Sequence, residues 1–549
     1  MGKLALLLVF LAARVVNSLG QAPDWLWAVG AGDSGDDAGY AIAVDGNGNS
    51  FVTGSFDGPS ITFGSTTLVS AGGSDMFVAK YDASGNVLWA VGAGGIWDEQ
   101  ANSISIDIDG NMYVAGRFQS PSFTFGATTL TCAGYHDMFI AKFDASGNAL
   151  WAVGAGGSDW DEAHSICVDI NGNIYVAGFF YSSSITLGST TLNNVSYAHQ
   201  DIFIAKYDGS GNALWAVGAG GGYNDVVHCI SVDLSGNSYV AGSFEGSSIT
   251  FGSTTLSNAG YGDLFIAKYD GSGNALWAIG AGGSGWDEAE SISVANEGHI
   301  FVTGYFWGPS ITLGSTTLAG YADVFLAKYD TSGNALWAAS AGGTGSDFGR
   351  SISVDISGNC HVVGSFRSPV ITFGSTTLTN AGLNDMFIAK YDASGNSLWA
   401  VGAGGSDNDD AHSISVDVNG SSNVTGRFSS PSIAFGATTL TKSASIFSDL
   451  FIAQLDAPAA IEETGWTTLD LFPNPATTQI EIRRPILSSW REVKIIEIHD
   501  VLGKTVRSQQ PASRDPDILS VDVSDLSPGV YFLKLIGADA KRMARFVKQ

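Results

Sequence analysis

Seven acids stand ten residues after seven similar tryptophans. Asp37, Glu99, Asp161, Asp225, Asp287, Asp347 and Asp409 follow Trp27, Trp89, Trp151, Trp215, Trp277, Trp337 and Trp399. A ring of carboxylates has two chemical readings. It could hold a divalent cation such as Ca2+ or form an electronegative funnel. Alternatively, each carboxylate accepts backbone N–H bonds inside its own tight loop. Sevenfold repetition favours the second reading, because a residue kept in every copy is one that the fold itself requires.

Ligand chemistry is better sought where the copies disagree. The segments around these acids carry Trp97, Trp160, Tyr223, Trp286 and Phe348, beside Asp98, Asp159, Glu162, Glu288 and Asp410. One slot reads Tyr40, Asn102, His164, His228, Glu290, Arg350 and His412 in successive copies. Nearby inserts add Tyr135, His136, Tyr197, His199, Tyr261, Tyr321 and Phe447. Aromatic rings among carboxylates suit stacking on sugars or gripping a protein partner. The competing role for these rings is packing between repeats. Three imidazoles, His164, His228 and His412, could hold zinc if they met at one point, but they fall in the third, fourth and seventh copies. No H-E-x-x-H, G-x-S-x-G or phosphate-loop string occurs, and the Gly-x-Gly strings lie in strands or turns rather than before a helix. The residues therefore point to binding, with no catalytic residue assigned and no cofactor required. The alternatives are a polysaccharide hydrolase or lyase acting through a carboxyl pair, and a purely architectural surface protein.

The elements that carry these residues come from a repeat. The marker LWAVGAG and its variants recur with spacings of 62, 62, 64, 62, 60 and 62 residues. A period of this length signals a repeat architecture. Within residues 103–156, alternating runs at 103–107, 112–118, 137–144 and 149–156 are separated by Gly/Asn/Asp turns and read as four strands. Residues 122–130 form an extra β insert between the second and third. The first strand is small on one face in every copy, as at Ser103/Ser105 and Ala41/Ala43, and aliphatic on the other. Thin innermost strands are what blades converging on an axis need. The chain begins with a lone fourth strand (26–32) and ends its repeats with a lone first-to-third set closing at 449–456. This offset predicts that the first strand completes the last blade of a closed ring. The fold class is all-β: a seven-bladed β-propeller over 21–456, then a small Ig-like β-sandwich.

Composition agrees with two domains. The 549 residues hold 71 Gly, 13 Pro and 14% charged residues, and the formal charge is −28. Residues 1–456 carry 13 Lys+Arg against 41 Asp+Glu, whereas 457–549 carry 12 against 12. An acidic propeller disfavours nucleic acid and anionic membranes as partners. Residues 1–20 read as a signal peptide, with Lys3 before the short apolar run 4–13 and small residues at Ser18 and Gly20. No later segment predicts a membrane span. Four cysteines, Cys132, Cys167, Cys229 and Cys360, share no repeat position and predict no disulfide framework.

Two families are resembled. The D-x-x-G-N turn and following strand, as in DINGNIYVAG (169–178) and DLSGNSYVAG (233–242), resemble the SBBP repeat of bacterial seven-bladed propellers. Residues 295–299 (ANEGH) depart from that pattern, as does Gln454. The resemblance implies the fold and no shared activity. After a linker at 457–470, residues 471–549 resemble the C-terminal sorting domain of type IX secretion cargo. The matching strings are LFPNPATTQIEI (471–482), IHDVLGKTV (498–506), LSPGVYFLKL (526–535) and KRMARFVKQ (541–549). This resemblance implies passage through the outer membrane of a Bacteroidota-type bacterium, with the type IX machinery as a partner. The mature chain would then be secreted or surface-attached, with an extracellular glycan or protein as its ligand.

Overall fold

A computed structural model describes residues 23–196, 198–443 and 446–457, and in the C-terminal region 471–472, 478–483, 493–500, 505–509, 518–527, 529–537 and 541–548. The expected signal peptide, nearly all of the expected linker and Tyr197 lie outside these residues. The chain divides into two compact units, 1–458 and 459–549.

The first unit is a seven-bladed propeller. Blade 1 orders its strands Asp37–Val44, Ser50–Phe56, Asp75–Tyr81 and Val87–Ala93 from the axis outward, all antiparallel. A two-stranded hairpin, Ser60–Phe63 with Thr66–Val69, leaves between the second and third strands. Blades 2–6 repeat this plan. The last blade orders Asp409–Val416, Ser422–Phe428, Asp449–Leu455 and then Trp25–Ala31, so the N-terminal strand supplies its outer edge. The register runs from Trp25 opposite Leu455 to Ala31 opposite Leu450, and Asp456 N–H donates to Asp24 O at 2.9 Å. This closure removes two edges that would otherwise template aggregation.

Side chains that repeat stitch the blades together. The first-strand serines do more than leave room. Ser103 Oγ accepts the N–H of Ile166, Ser165 that of Ile230, Ser351 that of Ile414 and Ser413 that of Ile42, each in the following blade. Inner-edge N–H groups, which have no further strand to pair with, are thereby satisfied. The marker tryptophans work at the other edge. Trp27, Trp89, Trp151, Trp215, Trp277 and Trp337 each donate Nε1–H to a turn carbonyl of the next blade, at 3.1–3.3 Å. Among the described residues Trp399 Nε1 has no partner. Its partner turn would be the third-to-fourth turn of blade 7, which is where the two ends of the repeat region meet. Apolar cores such as Tyr113, Ile140, Val176, Phe180 and Phe203 fill the space between neighbouring blades.

The structure changes one element. First strands are eight residues long and start at the acid, as in Glu99–Ile106, four residues before the predicted start. In every blade the pairing of first and second strands skips one residue, as between Ala101 and Ser103. That bulge breaks the period-2 pattern and hides the strand's beginning.

The second unit, among its described residues, is also all-β. One sheet joins Leu471–Phe472, Gln479–Arg483 and Ile518–Asp522. The other joins Thr505–Gln509, Val493–Asp500, Gly529–Gly537 and Lys541–Lys548. Alternate residues Ile496 and Ile498 are buried, as are Ile480, Val521 and Leu533. Two antiparallel sheets with such buried residues are what a small sandwich requires. No helix among the described residues is long and apolar enough to cross a membrane.

Candidate functional site

The seven acids head the first strands and are fully buried. Each carboxylate ties its own loop. Gly157 N–H donates to Asp161 Oδ2 at 2.6 Å, Gly221 to Asp225 at 2.6 Å and Gly405 to Asp409 at 2.7 Å. Asp37, Glu99, Asp287 and Asp347 accept the same bond from the residue four positions earlier. These bonds are the loop-tying contacts of the structural reading. Among the described residues, no group of three or more His, Cys, Asp or Glu side chains is arranged to hold a metal.

A second ring of acids escaped the sequence reading. Asp75, Asp137, Asp201, Asp263, Asp323, Asp385 and Asp449 begin the third strands and are also buried. Ala133 N–H donates to Asp137 at 2.9 Å and Val195 N–H to Asp201 at 2.6 Å, tying down the insert. A glycine after each fourth strand makes room; a Cβ on Gly220 would lie 2.2 Å from Asp201 Oδ1. The two rings alone bury fourteen of the 53 acids, and the propeller's surface is less negative than its composition. Burial pushes Asp161 and Asp409 up to about 6, Asp287 to about 7, and Asp37 and Asp225 to about 8.

The variable slot is the bulge itself. Tyr40, Asn102, His164, His228, Glu290, Arg350 and His412 are the residues skipped in the first-to-second strand register. A bulge re-aims its side chain, and here neighbouring blades bring these side chains into contact around the axis. The His164 and His228 rings are 5.8 Å apart, and Arg350 bonds Glu290. His412 departs from the other two histidines. It stacks on Tyr40 at 5.6 Å, and its Nδ1 lies 3.0 Å from Gly39 O. The three histidines do not converge, and burial together with Arg427 lowers His412 to about 4.

Glu162 is the hub of the blade 2–3 sector. Its carboxylate accepts Asn102 Nδ2 at 2.7 Å, Trp160 Nε1 at 2.9 Å and Arg117 at 3.2 Å, with His164 Nε2 at 3.4 Å. Burial alone would raise it, but His164, Arg117 and Trp160 outweigh burial and hold it at about 2. Glu288 is the counterpart at blade 5, with His228 Nε2 at 3.6 Å. Burial again works upward and is overcome by His228, Tyr305 and Arg350. Burial opposes charging of His228, yet Glu288 and Glu290 raise its pKa. Arg117, Phe179, Tyr305 and Arg427 were missed in the sequence. They share one second-strand position that reads Ser55, Arg117, Phe179, Ser243, Tyr305, Ser365 and Arg427 along the repeats, variation that could have flagged it.

The expected aromatics form an arc. Trp97, Trp160, Tyr223 and Trp286 sit in the loops between blades 1 and 2, 2 and 3, 3 and 4, and 4 and 5, and Phe348 follows the next loop. The two loop positions that carry these rings read Asp407–Asn408 before blade 7 and Gly35–Asp36 before blade 1. Trp97 is 49% exposed, Tyr223 57% and Trp286 39%. Trp160 and Phe348 are only half-buried and are held by partners. Arg117 lies over the Trp160 ring at 5.0 Å, and His136 packs against it at 4.9 Å. Phe348 packs on Tyr305 at 4.9 Å, under Arg350. Tyr135, Tyr261 and Tyr321 add exposed rings at the insert tips.

Comparison with known proteins separates the two units. Residues 470–549 match the family described as "Secretion system C-terminal sorting domain". The C-terminal unit is a secretion-system sorting domain. This sorting domain directs the chain through the type IX system to the cell surface or the extracellular space. An uncharacterized WD repeat-containing protein of Acanthamoeba polyphaga mimivirus is 25% identical over 513 residues, covering 75% of this chain and 36% of that protein. Regulatory protein FlaEY of Caulobacter vibrioides is 26% identical over 302 residues, covering 50% and 31%. The chain thus spans about a third of the length of these relatives. Among solved structures, a gluconolactonase from Xanthomonas campestris aligns over 78% of this chain and 99% of its own, at 10% identity and a TM-score of 0.29. That score is too low to carry a functional argument. The propeller rests on its own strand order, and the SBBP likeness rests on the residues that carry it.

Proposed function

We propose that the propeller is an extracellular binding module whose loop-bearing mouth recognises a carbohydrate. The observation that carries this reading is the arc of aromatic side chains over five consecutive blade junctions, interrupted at the remaining two. Aromatic faces stack on sugar rings, and exposing them costs free energy that a partner recovers. The polar groups beneath suit hydroxyls. Glu162 and Glu288 are held ionised and act as fixed acceptors; Asn102, Arg117 and Arg350 are donors. A hydrolase at this mouth would need a carboxyl held protonated beside its substrate. The carboxyls pushed furthest up, Asp37, Asp225 and Asp287, are sequestered in the buried ring at the heads of the first strands, which supports binding over hydrolysis.

The test is a glycan array with the mature chain, followed by calorimetry on Trp97→Ala and Tyr223→Ala. Weakened binding with unchanged melting supports the platform. Lower melting without a change in binding would reassign these rings to packing. A protein captured with no glycan bound would replace carbohydrate with a protein ligand. Delivery is tested separately: truncation at residue 470 should hold the chain in the periplasm of a type IX-competent host, and normal surface delivery would count against the sorting role.

A further inference from the structure

The two acid rings meet at every blade junction, and the junctions are not equivalent. In four blades a serine stands 21 residues after the first-strand acid: Ser120, Ser182, Ser368 and Ser430. Ser182 Oγ donates to Asp161 Oδ2 at 2.7 Å while its N–H donates to Oδ1 at 3.2 Å. Ser368 and Ser430 do the same for Asp347 and Asp409. The same hydroxyls accept a loop N–H, as from Asp159 at 3.0 Å. In blades 1, 4 and 5 the position is Gly58, Gly246 or Gly308. The first-strand acids of those three blades, Asp37, Asp225 and Asp287, are the ones with an Oδ1 left unpartnered and buried.

Two junctions concentrate the effect. Asp225 N–H donates to Gln200 O at 2.9 Å, which sets Asp225 beside Asp201 of the preceding blade. Asp287 N–H donates to Gly262 O at 2.9 Å and lies likewise beside Asp263. Asp201 and Asp263 also carry an unpartnered, buried Oδ1. The charged groups that face Asp225 are Asp201 and, from the segment after the second strand, Glu245; Asp263 faces Asp287. All are acids. At the blade 7–1 junction the pairing differs, because Ser443 Oγ bonds Asp449 and Lys442 lies near it. Two adjacent buried carboxyls without a cation cannot both ionise cheaply.

We propose that the pair Asp201 and Asp225, and the pair Asp263 and Asp287, each retain one proton at neutral pH, so that the blade 3–4 and 4–5 junctions form a proton-dependent clasp beneath the aromatic arc. The proton neutralises a carboxyl that a serine hydroxyl bonds in other blades. Burial raises both Asp225 and Asp287 far enough for this to hold. As pH rises through the folded values, the proton leaves, two like charges face each other, and the junction weakens.

The test uses the mature full chain. Its infrared spectrum at neutral pH should show the carbonyl band of a protonated carboxylic acid. The band should shrink in Asp201→Asn with Asp225→Asn, and its absence from the wild type overturns the proposal without any variant. Melting temperature should fall by several degrees from about pH 6 to about pH 9. Gly246→Ser should flatten part of that fall. A Cβ there lies 3.3 Å from Gly222 N, so that loop must give by a few tenths of an ångström, and 3.5 Å from Tyr223 N, the amide that the serine hydroxyl accepts in other blades. Parallel pH profiles for Gly246→Ser and wild type would overturn the clasp. So would a wild type destabilised by EDTA and rescued by Ca2+, which would put a cation where the proton is proposed.

Discussion

Asp225 and Glu162 lie at the starts of the first strands of adjacent blades, and both are buried, yet their carboxyls move in opposite directions. Asp225 meets a backbone amide and other acids, and desolvation drives it up to about 8. Glu162 meets Arg117, His164, Asn102 and Trp160, and these outweigh desolvation and hold it at about 2. The difference is not burial but company. Asp225 belongs to a position repeated in all seven blades, whereas Glu162 occupies one that reads Ala38, Gln100, Glu162, Val226, Glu288, Phe348 and Asp410. Repeated positions hold the ring together; positions that differ equip one sector of its mouth.

The largest effect tests a repeated element. Deleting Trp25–Ala31 leaves blade 7 without its outer strand, and the single cooperative melting transition should be lost. Retention of wild-type melting would show that closure contributes nothing. Next comes the acid pair itself. Glu162→Gln removes the anion from a nearly buried Arg–His–Trp cluster and should cost up to about 3 kcal/mol, the lower end for a broken buried pair, together with most ligand binding. Asp225→Asn should be neutral or stabilising at alkaline pH. Urea melts across pH separate the two. Asp225, with a folded pKa above its unfolded ~3.9, binds more protons when folded, so its effect on stability worsens as pH rises from ~4 to about 8. Glu162, with a depressed folded pKa, stabilises above its unfolded ~4.3 and loses that contribution as pH falls towards about 2. Identical slopes for the two variants would erase the distinction.

Smaller effects sharpen it. Trp97→Ala should weaken ligand binding by about 1–3 kcal/mol, the scale of an exposed aromatic anchor, with little change in melting. Trp160→Ala should lower both, because its Nε1 and ring hold Glu162 and Arg117. Equal stability losses would place both tryptophans among the packing residues. The smallest effect is a difference between two repeats. Trp337→Phe removes a hydrogen bond to Ala393 O and should cost ~1 kcal/mol more than Trp399→Phe, whose Nε1 has no partner among the described residues at the ring's seam. Equal costs in denaturant melts would mean that the indole N–H stitches contribute nothing measurable.

Much of the fold was legible because period and strand alternation are local. The marker tryptophans, the D-x-x-G-N turns and the offset of the terminal strands are all visible along the chain. Glu99–Ala101 was not recognised as strand because the bulge at Asn102 shifts the alternation by one residue. The burial of third-strand acids such as Asp201 was not legible, since nothing adjacent in sequence shows that a neighbouring blade covers them. The candidate site was half legible: the loop aromatics and the bulge histidines stood out, but Arg117, Phe179 and Tyr305 were hidden inside an otherwise regular second strand.

By itself the sequence determined the number of blades, the direction of closure, the sorting tail and the residues at which copies differ, because each depends on pattern within one repeat or its count. Tertiary structure decided which acids are buried, that His164 meets His228 while His412 turns to Tyr40, and that serine or glycine at one position leaves a carboxyl satisfied or orphaned. Those outcomes depend on contacts between residues some 60 positions apart, where solvent exclusion and neighbouring charge, rather than residue type, set the state of each group.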